Sequence, residues 1–267
     1  MKHIIHNIFL KIHNIFKRKT GYFFLKKSLL KYSTYRSLID DINIPEASNN
    51  NLDIINTGKK LGVSMRNVWS LIQSIEYLYH NKVEGVFVES GIYTGNSLIL
   101  MQKIQTQLGL NKEILGYDTF EGMVKPSKYD KWINNPELNA VEKYNNLKKS
   151  NNPWMYASMS QVKNHLNNKL NDISNIKFIK GDVRETLNEN KNLPDKISLL
   201  RLDTDFYEST KKELEILYPK LQTNGVLIID DYGFFSGSKK AVDEYFKDKF
   251  VFKHYIDKSI RLIIKTN

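Results

Sequence analysis

Residues 197–233 read ISLLRLDTDFYESTKKELEILYPKLQTNGVLIIDDYG, and this stretch decides the fold. It holds two apolar runs, ISLLRL and GVLII, each ending in acids: Asp203 and Asp205 after the first, Asp230 and Asp231 after the second. Runs of this length, rich in Ile, Val and Leu, read as strands buried on both faces of a parallel sheet. Ligands of such sheets sit at the carboxyl ends of the strands, so acids placed there by neighbouring strands converge on one point. Carboxylates gathered with no Arg or Lys among them make sense if a hard divalent cation neutralises them. Oxygen-only ligands favour Mg²⁺ and also accept Mn²⁺ or Fe²⁺. The plainer reading is one helix-capping Asp among solvated neighbours, and the recurrence of acids at two strand ends argues against it. Arg201 lies inside the first run, where an unpaired charge is costly, so it pairs with one of these acids, in a structural or an acceptor-binding role. Tyr207 and Glu208 open the next helix, where an acid also suits the helix dipole.

Working outward, GVFVES (85–90) is a first strand, followed by Glu89-Ser-Gly91-Ile-Tyr-Thr-Gly95-Asn-Ser97 and a helix over 97–108. A glycine turn at a strand–helix junction lets a ligand approach the backbone and the helix amides. The spacing E-x-G-x-x-x-G-x-S lacks the closely spaced glycines of a dinucleotide site, which counts against a Rossmann oxidoreductase. A wide loop preceded by Glu89 suits a ligand with a positive end and no phosphates, such as S-adenosylmethionine. EILGYD ends the second strand at Asp118, where a carboxylate can accept ribose hydroxyls. NIKFIKGD ends the third at Asp182, placed to meet an adenine amino group. Asp118 or Asp182 alone is more often a helix cap than a ligand, but the glycine loop and both acids in strand order indicate a methyltransferase-type Rossmann fold.

The remaining segments add context. An amphipathic helical face recurs over 65–79, and residues 40–62 read as a connector with Pro45, an Asn run and Gly58. Residues 123–175 break the strand–helix alternation with Trp132, Trp154 and three prolines, the mark of an inserted lid or substrate region. KFVFKHYID and SIRLIIK read as paired strands at the sheet edge. At 267 residues the chain suits one α/β domain with additions, and the absence of Cys excludes disulfides and thiolate chemistry. The net charge of +11 is uneven: residues 1–36 carry nine Lys/Arg and no acid, leaving 31 basic against 29 acidic residues elsewhere. The body is therefore nearly neutral, which argues against a nucleic-acid groove. The N-terminal segment reads as a basic amphipathic helix too interrupted to span a bilayer, suited to an anionic membrane surface or to packing on protein. The histidines stand outside the strand-end motifs; His165, in the insert, is a candidate second base.

The residues resemble the macrocin O-methyltransferase (TylF-like) family of S-adenosylmethionine-dependent enzymes. The matching stretches are GVFVESGIYTGNSLILM, GYDTFEGM, IKFIKGDVRETL, LLRLDTDFYEST, and LYPKL with NGVLIIDDYG followed by KKAVDEYF, in collinear order over 65–246. The resemblance implies a Rossmann-like class I methyltransferase fold, with a mostly parallel central sheet, helices on both faces and an antiparallel C-terminal edge. It implies sugar hydroxyl methylation with S-adenosyl-L-methionine and a divalent metal, usually Mg²⁺, in a homo-oligomer. Asp203, Asp230 and Asp231 would hold the metal, with Asp203 the general base. Glu89, Gly91, Gly95, Ser97, Asp118, Phe120 and Asp182 would line the cofactor site. Phe234, Phe235 and Ser238 depart from the family's pattern and bear on the acceptor pocket.

The expected organisation is a basic helical segment and connector over 1–62 and a methyltransferase domain over 63–267. The expected acceptor is a nucleotide-activated or surface-polysaccharide sugar, with a catechol-like or other small diol as the alternative. The expected location is the cytoplasm, with the basic segment able to rest on the inner face of the membrane.

Overall fold

The computed structural model describes residues 44–266, so the expectations for the basic N-terminal segment lie outside the described residues. The first helix, α1 (Asn49–Leu61), occupies the stretch read as a connector. Three successive Asn and a mid-helix Gly are poor helix formers. Tertiary packing overrides them: Ile54 and Ile55 are buried, and Ser48 caps the helix by accepting from the Asn51 amide at 3.2 Å. Gly58 explains the close packing of α1 on α2 (Met65–His80), because a Cβ there would stand 2.3 Å from a Val68 methyl.

The alternating part then runs β1 (Val86–Ser90), α3 (Asn96–Gln107), β2 (Ile114–Asp118), α4 (Ala140–Lys149), α5 (Met159–Asn167) and β3 (Ile176–Lys180). It continues with α6 (Val183–Thr186), β4 (Ile197–Leu202), α7 (Tyr207–Ile216), β5 (Leu221–Ile229) and α8 (Ser236–Tyr245). The chain ends in β6 (His254–Tyr255) and β7 (Arg261–Ile264). The sheet order is β3-β2-β1-β4-β5-β7-β6. Strands β1 to β5 pair in parallel, while β7 pairs antiparallel to β5 and β6 antiparallel to β7. All six residues of β4 are buried. Successive side chains of a strand point to opposite faces, so a strand buried throughout is covered on both.

The second half of the region read as an insert is an ordinary part of the alternation. Helix α5 supplies the β2-to-β3 crossover and packs Val162 and Leu166 under Gly95. Its polar sequence hid it, although Ser158 and Gln161 form a capping box that marks its start. The irregular remainder, with α4, lies over the carboxyl end of β4 and β5.

Candidate active site at the carboxyl end of the sheet

Four side chains share one face because strands have a period of two. Glu89 stands opposite Arg201 in the β1–β4 register, and Arg201 opposite Ile228 in the β4–β5 register. Asp203 lies two residues past Arg201, and Asp230 two past Ile228. Arg201 is 2% exposed, and its Nη1 donates to Glu89 Oε1 and to Asp203 Oδ2, the latter at 2.6 Å. Its Nη2 donates to Asp230 Oδ1 at 2.7 Å. The acids are therefore not free of cations as the sequence suggests. Arg201 pairs with three of them, which the linear sequence conceals because its partners come from β1, β4 and β5.

Asp203, Asp230 and Asp231 each present a carboxylate oxygen within 4.8 Å of the others. Asp230 Oδ1 also accepts from Asn67 Nδ2 at 3.2 Å, and the Asp205 amide donates to Asp231 Oδ2 at 3.2 Å. Asp205 has φ +65, an uncommon conformation for a non-glycine residue that turns its amide towards Asp231. Burial, then the charge of Asp203, push Asp230 up to about 7 against the pull of Arg201. Burial and the charge of Asp205 push Asp231 well above the usual carboxylate range. Burial and the charge of Asp203 do the same to Asp205. Crowded carboxylates of this kind fit a divalent cation, since an all-oxygen donor set is what Mg²⁺ and its neighbours take. Arg201 holds one oxygen of Asp203 and one of Asp230, and each keeps a second.

The glycine loop touches this cluster directly. The Asp203 amide donates to Ser90 O at 2.9 Å, and Gly91, at φ +81, abuts Asp203 so closely that a Cβ would lie 2.0 Å from its carbonyl oxygen. Asp118 Oδ2 accepts from the Ile92 and Tyr93 amides at 3.0 Å each, and its Oδ1 from the Phe120 amide at 2.7 Å. Those three bonds fill most of a carboxylate's four acceptor sites. Burial raises the Asp118 carboxyl against these amides. Its first task is thus to tie the loop to β2. Asp182 caps α6 through the Arg184 amide at 3.0 Å and pairs with the Arg184 guanidinium. Phe120 is 3% exposed, with its ring edge-on to Phe178. Ser97, half-buried at the start of α3, faces the carboxyl of Glu89. Glu89 itself is 1% exposed, with burial pushing its carboxyl up against the pull of Arg201, so it acts from beneath the loop.

The wall over the acids comes from the region read as a lid, and what sequence reading did not single out is Asp130 and the packing of Phe206 and Phe235. Asp130, 3% exposed, accepts from the Tyr207 amide at 2.8 Å and from the Ser127 amide and hydroxyl at 2.6 and 2.7 Å. Trp132 forms an isolated antiparallel bridge with Phe235 and stacks on Trp154, which meets Phe206 edge-on. Lys143 Nζ lies 3.9 Å from the Trp154 ring centre. The prolines and tryptophans were the only signal in the sequence. Tyr207 is buried with its hydroxyl donating to Glu244 at 2.6 Å, and Glu208 is exposed at the start of α7. His165 hydrogen-bonds Asn96 at 2.9 Å and lines a cavity of about 430 Å³ with Lys60, Thr94 and Tyr156.

The sheet order, with its antiparallel β7 inserted between β5 and β6, defines a class I methyltransferase fold. The chain matches the macrocin-O-methyltransferase (TylF) family over residues 52–260 and belongs to that family. Demethyldecarbamoylnovobiocin O-methyltransferase of Streptomyces niveus is 28% identical over 185 residues, 68% of this chain and 66% of that protein. The 8-demethyl-8-(2,3-dimethoxy-alpha-L-rhamnosyl)-tetracenomycin-C 4'-O-methyltransferase of Streptomyces olivaceus is also 28% identical, with 68% and 66% covered. The match thus spans just under two thirds of each relative's length. Among solved structures, the O-methyltransferase NovP gives a TM-score of 0.66 at 26% identity, with 77% of this chain and 82% of that one covered. The calicheamicin methyltransferase CalS11 has the same fold, with a TM-score of 0.62 at 17% identity over 91% of this chain and 95% of that one.

Proposed function

We propose that the chain is an S-adenosylmethionine-dependent O-methyltransferase acting on a sugar hydroxyl, with a divalent cation held by Asp203, Asp230 and Asp231. The observation that carries this reading is the direct contact between the glycine loop at Gly91 and the acid strand at Asp203. It sets a cofactor loop and a cluster of carboxylates side by side at the carboxyl ends of adjacent strands. Gly91, Gly95, Ser97, Asp118, Phe120 and Asp182 form the cofactor side, and Glu89 lies buried beneath the loop against Arg201. Family membership and relatives named as O-methyltransferases, one of them of a rhamnosyl-tetracenomycin, support the reaction class.

A bound divalent cation would lower the pKa of an acceptor hydroxyl from that of an ordinary alcohol. Asp203 would take the proton of the acceptor hydroxyl, and S-adenosylmethionine held at the glycine loop would supply the methyl group. Trp132 and Trp154, half-buried and backed by the buried Phe206 and Phe235, would offer flat apolar faces to a sugar ring. A nucleotide-activated or surface-polysaccharide sugar is the acceptor we favour. The test is mass spectrometry of products from nucleotide-sugars and glycosides incubated with S-adenosylmethionine, with Mg²⁺ or with EDTA. A gain of one methyl on a sugar that EDTA suppresses is expected; transfer confined to catechols would overturn the sugar assignment.

A further inference from the structure

A buried arginine in a proposed metal centre poses a physical problem. A cation beside the carboxylates competes with the metal for them and weakens the field that attracts it. The structure resolves this through the partner on the far side. Arg201 is fully buried and forms an ion pair with Glu89, itself 1% exposed, across the β1–β4 register. Glu89 takes up part of the guanidinium from below, so Arg201 is shared between it and the acids above, and Asp203 and Asp230 each keep a second oxygen for a dication. What Arg201 contributes is geometry. Its planar fork reaches Asp203 Oδ2 with one nitrogen and Asp230 Oδ1 with the other, at 2.6 and 2.7 Å. One oxygen of each carboxylate is thereby fixed, which sets the direction of the other. A lysine, with its donors on a single atom, has no fork with which to span the two.

We propose that Glu89 and Arg201 form a buried brace whose task is to aim Asp203 and Asp230 at the divalent cation. This inference rests on the metal reading above. It makes both positioning residues and gives Arg201 no part in binding the acceptor. It also moves Glu89 from direct cofactor contact to support of the metal ligands. Asn67, at the start of α2, holds Asp230 from the other side through the same oxygen, Oδ1.

The test measures Mn²⁺ binding by the electron paramagnetic resonance of free Mn²⁺ on the full-length wild type, R201K and E89Q. S-adenosylmethionine affinity is measured in parallel by calorimetry in EDTA. The brace predicts that both variants bind Mn²⁺ more weakly, by about ten- to hundredfold, the usual cost of losing a residue that orients metal ligands. Their affinity for S-adenosylmethionine stays unchanged, and excess Mn²⁺ restores part of the turnover. E89Q keeps the shape of the side chain and carries the test should R201K fail to fold. Unchanged Mn²⁺ affinity would overturn the brace, and so would tighter binding, which would make Arg201 a competitor of the metal. Loss of S-adenosylmethionine affinity by E89Q with Mn²⁺ binding intact would return Glu89 to the cofactor. A wild-type chain that takes up no Mn²⁺ would overturn the metal reading itself.

Discussion

Gly91 and Asp203 meet backbone to backbone: a Cβ on Gly91 would lie 2.0 Å from the Asp203 carbonyl oxygen and 2.7 Å from its carbonyl carbon. Two loops, the glycine loop after β1 and the acid-bearing loop after β4, are thus held in register by a contact that admits only a hydrogen atom. The Gly91 amide, bonded to Tyr117 O at 2.8 Å, pins the loop from the other side.

Gly91→Ala should therefore be destabilising and inactive. The new methyl meets rigid backbone and the position has φ +81, so the cost is about 2–4 kcal/mol of unfolding free energy. Urea denaturation measures the cost, and S-adenosylmethionine binding should fall with it. A variant with wild-type stability and affinity would contradict the contact.

On the proposed function, Asp203→Ala and Asp230→Ala should each lower turnover by about a thousandfold or more, since each would remove both a cation ligand and a neighbour of the reacting oxygen. S-adenosylmethionine should still bind, because the glycine loop is closed by Asp118 rather than by these acids. Single-turnover rates together with calorimetry distinguish the two effects. Near-normal turnover in both variants would remove the acids from the chemistry.

Asp130→Ala leaves the Tyr207 amide and the Ser127 amide and hydroxyl without their acceptor. Buried donors left unpaired cost about 1–3 kcal/mol each, so the midpoint of unfolding should drop measurably. The wall over the acids should loosen with it, and the acceptor KM should rise more than kcat falls. An unaltered KM would mean the wall does not touch the acceptor.

The pH dependence of stability has one local source in Asp182. Burial acts to raise its carboxyl, but the side-chain and amide bonds from Arg184 outweigh it and hold the carboxyl below the usual range. An acid lowered in the folded state adds stability above its unfolded pKa, and that stability is lost as pH falls through the folded value. The Arg184 pair is partly exposed, with side-chain accessibilities of 42% and 18%, so its contribution is at most about 1 kcal/mol. Asp182→Asn should show a smaller loss of stability than wild type between neutral pH and acid, measured by urea midpoints across that range. Identical pH profiles would show that the pair contributes nothing.

Much of the architecture is legible in the linear chain because strands and acids follow local rules. The runs GVFVES, ISLLRL and GVLII announce buried strands by their content and length, and each ends where a parallel sheet exposes its ligand face. The helices α1 and α5 were not legible. Asn49, Asn50 and Gly58 give α1 no propensity, and its stability comes from Ile54 and Ile55 buried within the domain. Polar residues dominate α5, whose apolar face is little more than Val162 and Leu166, the pair that meets the glycine loop.

By itself the sequence determined that acids stand at the ends of neighbouring strands and converge there, because parallel order brings those ends together; the choice of Asp203, Asp230 and Asp231 among them came from the family resemblance. The partner of each charge was decided only by the tertiary structure. Arg201 joins Glu89, 112 positions away in the chain, and Asp230, 29 positions away. Asp118 spends its oxygens on amides 25 and 26 positions earlier. Such pairings depend on the register between strands, to within a single residue, and on which groups are withdrawn from water together. Register follows from how the buried faces of neighbouring strands pack together, which the pattern of one strand read alone does not give.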